Sequence, residues 1–395
     1  MADNDFVSML IWLGELIIAS WALSYGAEHL SLKYGAKFIG RTVLSIATTL
    51  PEIAIVAYAA AAGDYGVAIG AGLGSNLLMM TLGLSIMLII ATTRLSRAPL
   101  RSLDVSTFKL DKIFLFITAI VSAVLFVDGY NYLDGFIFVG MFAAYFTMAL
   151  HEMRAEKNKE LMASSPDNNN TETRQNKNNY KNNDKNRLLK EGGAARTTPP
   201  LPSRVAATPS KSEPGLMKIK GDSQTISKAH NSRQFAKALL IFIAGVMGIL
   251  IGAEPFIHSL QGVSIDIGIS AIVLSVIVSP IAGEMPEKLS LMILARKGAH
   301  GASIAISNVL GSKILNNTLL LAIAVFGAMY HGGFFSTIST STILSYQMIL
   351  VTVVTIAALI PMVKREIGLK VGIMLLGLYV ISLLIQFVLP HKIHS

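Results

Sequence analysis

The sequence predicts an all-α polytopic membrane protein with ten transmembrane helices arranged as two inverted five-helix repeats. Three observations carry that expectation. The 395 residues are 52% hydrophobic and only 14% charged, with positive mean hydropathy, and the apolar residues come in runs of about 20 rather than in amphipathic stripes. Lys and Arg are confined to alternate connections, and short polar motifs recur in the same order in both halves.

Taking about 20 residues as the length of one crossing, spans fall at 6–27, 36–62, 66–91, 111–128, 132–150, 236–256, 266–295, 301–327, 340–362 and 368–389. The chain starts MADND, acidic, and the apolar segment behind it is longer than a signal-peptide core, so it reads as a retained helix. Lys33, Lys37 and Arg41 follow the first span; Arg94, Arg97, Arg101, Lys109 and Lys112 follow the third; Arg296 and Lys297 follow the seventh; Lys364, Arg365 and Lys370 follow the ninth. The connections around Asp64, Asp128, Asp266 and His331 contain no Lys or Arg. Such alternation predicts that the basic loops are cytoplasmic and both termini extracellular, in the plasma membrane of the cell.

Residues 1–151 form the first repeat and 236–395 the second, joined by 152–235, a basic segment rich in Asn, Ser, Thr and Pro. With few aliphatic residues it cannot offset its ordering entropy, so it is expected to be a largely disordered cytoplasmic linker. The net charge of +9 is accordingly read as topology rather than as a nucleic-acid surface. The absence of cysteine excludes disulfides, thiolate metal sites and cysteine nucleophiles.

The repeats are visible in three motifs. GAEHL (Gly26–Leu30) answers GAEPF (Gly252–Phe256) at expected helix ends, ATTLPE (Ala47–Glu52) answers AGEMPE (Ala282–Glu287), and GLGSN (Gly72–Asn76) answers VLGSK (Val309–Lys313). Because each half has an odd number of spans, the second enters the membrane from the opposite side, as in inverted-repeat carriers.

These motifs also carry the chemistry. Pro51 and Pro286 lack the amide hydrogen that would bond the carbonyls of Ala47 and Ala282, and a Glu follows each proline. Freed carbonyls beside carboxylates make a ligand set for a hard cation. A carboxylate near the bilayer centre costs about 2.5–3.5 kcal/mol on insertion scales, so Glu52, Glu284 and Glu287 need compensation. Glu284 and Glu287 are three residues apart on one helix face, and Thr48 lies one turn before Glu52. A cation, a proton or Lys313 would relieve their repulsion. Ser75 and Ser312 offer hydroxyls where Gly74 and Gly311 allow close packing, and Asn316 adds an amide one turn beyond Ser312. The scattered histidines and methionines form no metal-binding set, and no phosphate loop, serine elbow or paired-His motif appears.

In these residues the chain resembles the sodium/calcium exchanger superfamily of cation antiporters, whose two inverted repeats each carry a GTSxPE-like element followed by a GNxxGSNxxN/D-like element. Thr48, Thr49 and Glu52 match the first element and Gly70 to Asn76 the second; Glu284 and Glu287, then Asn308, Gly311, Ser312 and Asn316, match their counterparts. The resemblance implies Glu52 and Glu287 as central Ca²⁺ ligands, with Ala47 and Ala282 supplying carbonyls. It also implies that the first and sixth helices slide to alternate access. The chain departs from the pattern at Ala71, Met79, Gly283-Glu284, Lys313 and Asn316, mainly where the family binds Na⁺. Glu284 returns an acid lost near Asn316, and Lys313 takes a place otherwise filled by a monovalent ion or proton. The expected function is secondary exchange of Ca²⁺ for Na⁺, with no enzymatic activity and no cofactor. The alternative is an H⁺-coupled exchanger of Ca²⁺ or another divalent cation. Mixed carboxylate and carbonyl oxygens suit Ca²⁺, with its irregular shell, better than Mg²⁺.

Overall fold

The computed structural model describes residues 2–31, 43–163 and 223–388, and among them the architecture is helical. The helices are α1 (Ala2–Ser31), α2 (Val43–Ala61), α3 (Tyr65–Thr92), α4 (Lys109–Leu125) and α5 (Tyr132–Ala163), then α6 (Ser223–Ile267), α7 (Ala271–Ala295), α8 (Ala299–Gly332), α9 (Thr342–Leu359) and α10 (Leu369–Val388). Among the described residues eight are long and apolar enough to cross a membrane, and α2 and α7 carry shorter apolar stretches, Thr49–Ala61 and Ala271–Met285. The chain is a multi-pass membrane protein.

By contacts it divides into two units, 1–148 with 230–395 and 149–229. Of the smaller unit the described parts are helical: the end of α5 through Ala163 and the start of α6 from Ser223. The expected linker 152–235 thus begins and ends in helix, because MRAEKNKELMA consists mostly of strong helix formers that extend α5 beyond its apolar stretch. Its middle, 164–222, lies outside the described residues, as do 32–42, where the second span was expected to begin. GAEHL stands at the end of α1 among the described residues, whereas GAEPF does not end a helix. α1 continues to Ser31, and α6 runs through Pro255 to Ile267, since Pro255 deletes one backbone bond while the residues after it remain apolar and helix-compatible.

Burial separates inner from outer helices. Of the apolar windows in α3 and α8, 78% and 83% of residues are buried, against 28% in α1 and 22% in α6. α3 can be central because Gly66, Gly70 and Gly74 recur every four residues and form a flat strip against Ile272, Ser275 and Val276 of α7. At Gly74 any Cβ would collide with the Val276 carbonyl. α1 and α6 pack similarly through Gly26, Gly245, Gly248 and Gly252, with Ser8 and Ser259 hydroxyls 2.8 Å apart.

α3 and α8 share an irregularity. Each contains a π turn, Met79–Gly83 and Asn316–Leu320, beginning four residues after the serine of its Gly-Ser motif. In each, a threonine hydroxyl within the turn donates four residues back, Thr81 to the Leu77 carbonyl and Thr318 to that of Ile314. The loops match in the same way. Strand β1 (Leu103–Asp104), after α3, pairs antiparallel with β2 (Glu366–Ile367), after α9. Tyr130, after α4, bridges Ile338, after α8. Hydrogen bonds from Ser106 and then Arg365 lower the Asp104 carboxyl to about 2, so it remains ionised beside the ladder.

The glycine strip yields a test. Gly74→Ala should cost about 1–3 kcal/mol by overpacking against rigid backbone, lowering the thermal unfolding temperature of detergent-purified protein. Gly140→Ala, where nothing lies within 4 Å, should leave it unchanged. Equal melting of the two variants would remove the close α3–α7 packing from the stability argument.

Candidate cation site

Glu52 projects from α2 one residue after Pro51, and Glu287 from α7 one residue after Pro286. The two helices meet because residue 283 is glycine: a Cβ there would lie 3.0 Å from the Glu52 carboxyl carbon. Glu284, one turn before Glu287, turns to the same side. Carboxylate oxygens of Glu52, Glu284 and Glu287 lie within 4.8 Å of one another, and all three side chains are buried. Two unit charges at that distance repel by roughly 3–4 kcal/mol at an effective dielectric constant near 20. Three bare carboxylates therefore cannot persist together without positive charge or protons.

Part of that charge is built in. Lys313, 1% exposed on α8, forms an ion pair with Glu284 Oε1 and donates to Ser75 Oγ of α3 at 2.6 Å. Ser75 also hydrogen-bonds Glu284 Oε1, joining α3, α7 and α8. With its nitrogen donating to the Ser312 carbonyl at 3.2 Å, Asn316 turns its amide oxygen to Ser75 Oγ at 2.6 Å and Lys313 Nζ at 3.3 Å. Glu287 Oε1 instead accepts from Asn308 Nδ2 at 3.0 Å and Ser312 Oγ at 3.1 Å. Glu52 Oε2 is buried with no hydrogen-bond partner. The site thus has one acid paired with Lys313 through one oxygen and one acid held by neutral donors, while Oε2 of Glu52 and Oε2 of Glu284 are buried without a hydrogen-bond partner.

Most residues singled out from the sequence converge here: Glu52, Glu284, Glu287, Ser75, Ser312, Asn316 and Lys313. Thr49 and Ala282 are buried on the same two helices. Ala47 and Thr48 belong to α2, but their side chains lie outside the described residues, as does that of Glu28. Glu254 stands apart, lining a cavity of about 210 Å³ with Tyr58 and His258 between α2 and α6.

Sequence reasoning missed three polar groups. Lys288 lies 3.8 Å from Glu284 Oε2 and donates to the Pro280 carbonyl at 3.1 Å; its place directly after PE was a signal. Asn317 accepts from Asn76 Nδ2 at 2.5 Å across α3 and α8, and its adjacency to Asn316 hid that it serves a different partner. Glu15 lies in the apolar run of α1 with its carboxylate over Gly248 and Gly252 of α6, and a lone acid in such a run is itself a sign.

The ion pair can be tested by stability. Lys313→Met alone leaves Glu284 buried without its cation and should cost roughly 3–5 kcal/mol, whereas the double change with Glu284→Met should restore most of the loss. Thermal unfolding of the two variants compares them. A double variant as unstable as the single one would show that the pair is not what needs balancing.

Comparison with known proteins agrees with this architecture. A profile described as sodium/calcium exchanger protein matches residues 6–151 and 237–388. The chain is 22% identical over 360 residues to an uncharacterized membrane protein of Methanocaldococcus jannaschii, covering 91% of this chain and 90% of that one. It is 28% identical over 157 residues to the sodium/calcium exchanger NCL2 of Oryza sativa subsp. japonica, covering 40% of this chain and 26% of the rice protein. Among solved structures, the H⁺/Ca²⁺ exchanger CAX superposes with a TM-score of 0.69 at 17% identity, covering 97% of this chain and 84% of its own. The sodium-calcium exchanger NCX_Mj superposes with a TM-score of 0.55 at 20% identity, covering 97% and 99%. With the profile spanning both halves of the membrane-embedded unit, the chain belongs to the sodium/calcium exchanger protein family.

Proposed function

We propose that this protein is a secondary antiporter that carries Ca²⁺ across the plasma membrane in exchange for Na⁺, using the Glu52–Glu284–Glu287 cluster as its transport site. One observation carries the reading: three buried carboxylates converge within 4.8 Å while Lys313 already pairs with one of them. Glu52 and Glu287 then present two negative charges to one divalent cation. Their oxygens, with Ser312, Asn316, Thr48, Thr49 and the carbonyls released by Pro51 and Pro286 at Ala47 and Ala282, form an oxygen-rich shell of the kind Ca²⁺ accepts.

The proposed architecture is two inverted five-helix repeats, residues 1–151 and 236–395, joined by the cytoplasmic segment 152–235, with both termini outside. The matched π turns of α3 and α8 and the two loop pairings support it. Exchanging the halves relates β1–β2 pairing on one side to the Tyr130–Ile338 bridge on the other, as an axis in the membrane plane requires. α1 and α6, mostly outward-facing and in mutual contact through small residues, suit a gate that slides over the buried helices. An empty site leaves Glu52 and Glu287 uncompensated in low dielectric, which disfavours crossing without an ion and makes exchange obligatory.

Proton coupling is the second reading, and Lys313 favours it. Its ammonium stands beside Ser75 and Asn316, where a monovalent ion would otherwise find ligands, and Met79, four positions after Ser75 in the sequence, offers no side-chain oxygen. Two protons on Glu52 and Glu287 would then accompany the return step.

Ca²⁺ flux in proteoliposomes under an imposed Na⁺ gradient, an imposed pH gradient and neither separates these readings. Na⁺-driven flux is expected, falling about tenfold or more at subsaturating Ca²⁺ in Glu287→Gln, because divalent affinity follows ligand charge. Flux driven by pH alone would transfer coupling to protons, and no Ca²⁺ flux under any gradient would overturn the transport proposal. Lys313→Ala should change the number of counter-ions moved per Ca²⁺; an unchanged ratio would show that Lys313 does not stand in for one.

A further inference from the structure

The basic loops after α3 and α9 come together over a groove of about 520 Å³ between α4 and the end of α9, separate from the carboxylate cluster. Lys109, Lys112, Lys364 and Arg365 rim one end of it. Its walls are Ile113 and Phe116 from α4 and Leu359 and Val363 from the α9 side. Ile113, Phe116 and Val363 are 46%, 43% and 83% exposed, so the groove opens outward, toward the surroundings of the helices.

The cations are unequally committed. Arg365 pairs with Asp104 at 3.2 Å, and Glu366, the next acid, accepts from Ser102 at 2.6 Å. Lys112 donates to the carbonyls of Val105 and Met362, both at 2.9 Å. Those carbonyls fix its position across the head of the groove without cancelling its charge. Lys109 and Lys364 are exposed and have no carboxylate partner among the described residues. The rim therefore holds excess positive charge, with one ammonium already oriented by the fold.

Polarity changes in an ordered way along the groove. Lys109, Ile113 and Phe116 lie at i, i+4 and i+7 on α4, one stripe about 10 Å long that is cationic at the loop end and apolar toward the membrane interior. A soluble anion would satisfy the rim but not the wall, and a neutral lipid chain the wall but not the rim. An anionic phospholipid satisfies both, with its phosphate among the lysines and an acyl chain along Phe116 and Leu359. From this charge complementarity we infer that the groove between α4 and α9 is a binding site for one anionic phospholipid of the leaflet that meets the β1–β2 ladder.

The test places a reporter in the apolar wall. In full-length protein carrying Trp12→Phe and Trp21→Phe, Phe116→Trp is reconstituted in phosphatidylcholine nanodiscs containing a minor fraction of brominated phosphatidylglycerol or, separately, of brominated phosphatidylcholine. Quenching at equal bromine content should favour phosphatidylglycerol about tenfold in apparent affinity, and Lys109→Ser with Lys364→Ser should abolish the preference. Lys109→Arg with Lys364→Arg should retain it, which separates lost charge from misfolding. Millimolar inorganic phosphate should leave it intact. Equal quenching by both lipids, a preference that survives loss of both lysines, or displacement by free phosphate would each overturn the inference.

Discussion

Carboxylates held a few ångströms apart inside apolar helices impose a charge balance that every neighbouring element serves. Glu284 is balanced by Lys313, and the hydroxyl of Ser75 joins that pair to a third helix. Glu287 is met only by neutral donors and Glu52 Oε2 by none. This uneven compensation matters more than the number of acids. A fully paired cluster would be a structural staple, and a wholly unpaired one would be too costly to fold. With one acid cancelled, two remain for the divalent cation proposed above.

The packing follows from bringing those groups together. Gly283 brings α7 against the Glu52 carboxyl, and the glycine strip of α3 brings Ser75 to the same level. Large side chains at these positions would hold the helices apart and leave the acids without partners. The π turns begin one helical turn beyond the Gly-Ser motifs, and each extra residue per turn re-aims the helix beyond it. On α8 this occurs at Asn316 and Asn317, adjacent residues that serve Ser75 and Asn76. The centre is dense and cross-linked, whereas α1 and α6 are mostly exposed outside it.

The sequence made the helices legible because a crossing needs a long apolar run, and it made the acids legible because a charge in such a run is costly. The paired Pro-Glu and Gly-Ser motifs were recognisable for the same reason. It was less informative about helix ends. α5 and α6 run beyond their apolar stretches, since polar residues with good helix propensity continue a helix into water without a hydropathy signal. Lys288 and Glu15 were overlooked because each was judged by its own segment, whereas their settings belong to contacts along or between helices.

By itself the sequence determined the membrane-embedded helical class, the recurrence of the Pro-Glu and Gly-Ser motifs and the three acids Glu52, Glu284 and Glu287, all of which follow from local composition and order. Tertiary structure alone decided which acid Lys313 neutralises. Glu284 precedes it by 29 positions and Ser75 by 238, and no local pattern specifies a pairing over such separations. That choice depends on helix rotation and approach, set by glycines and π turns whose effect exists only when the helices are packed.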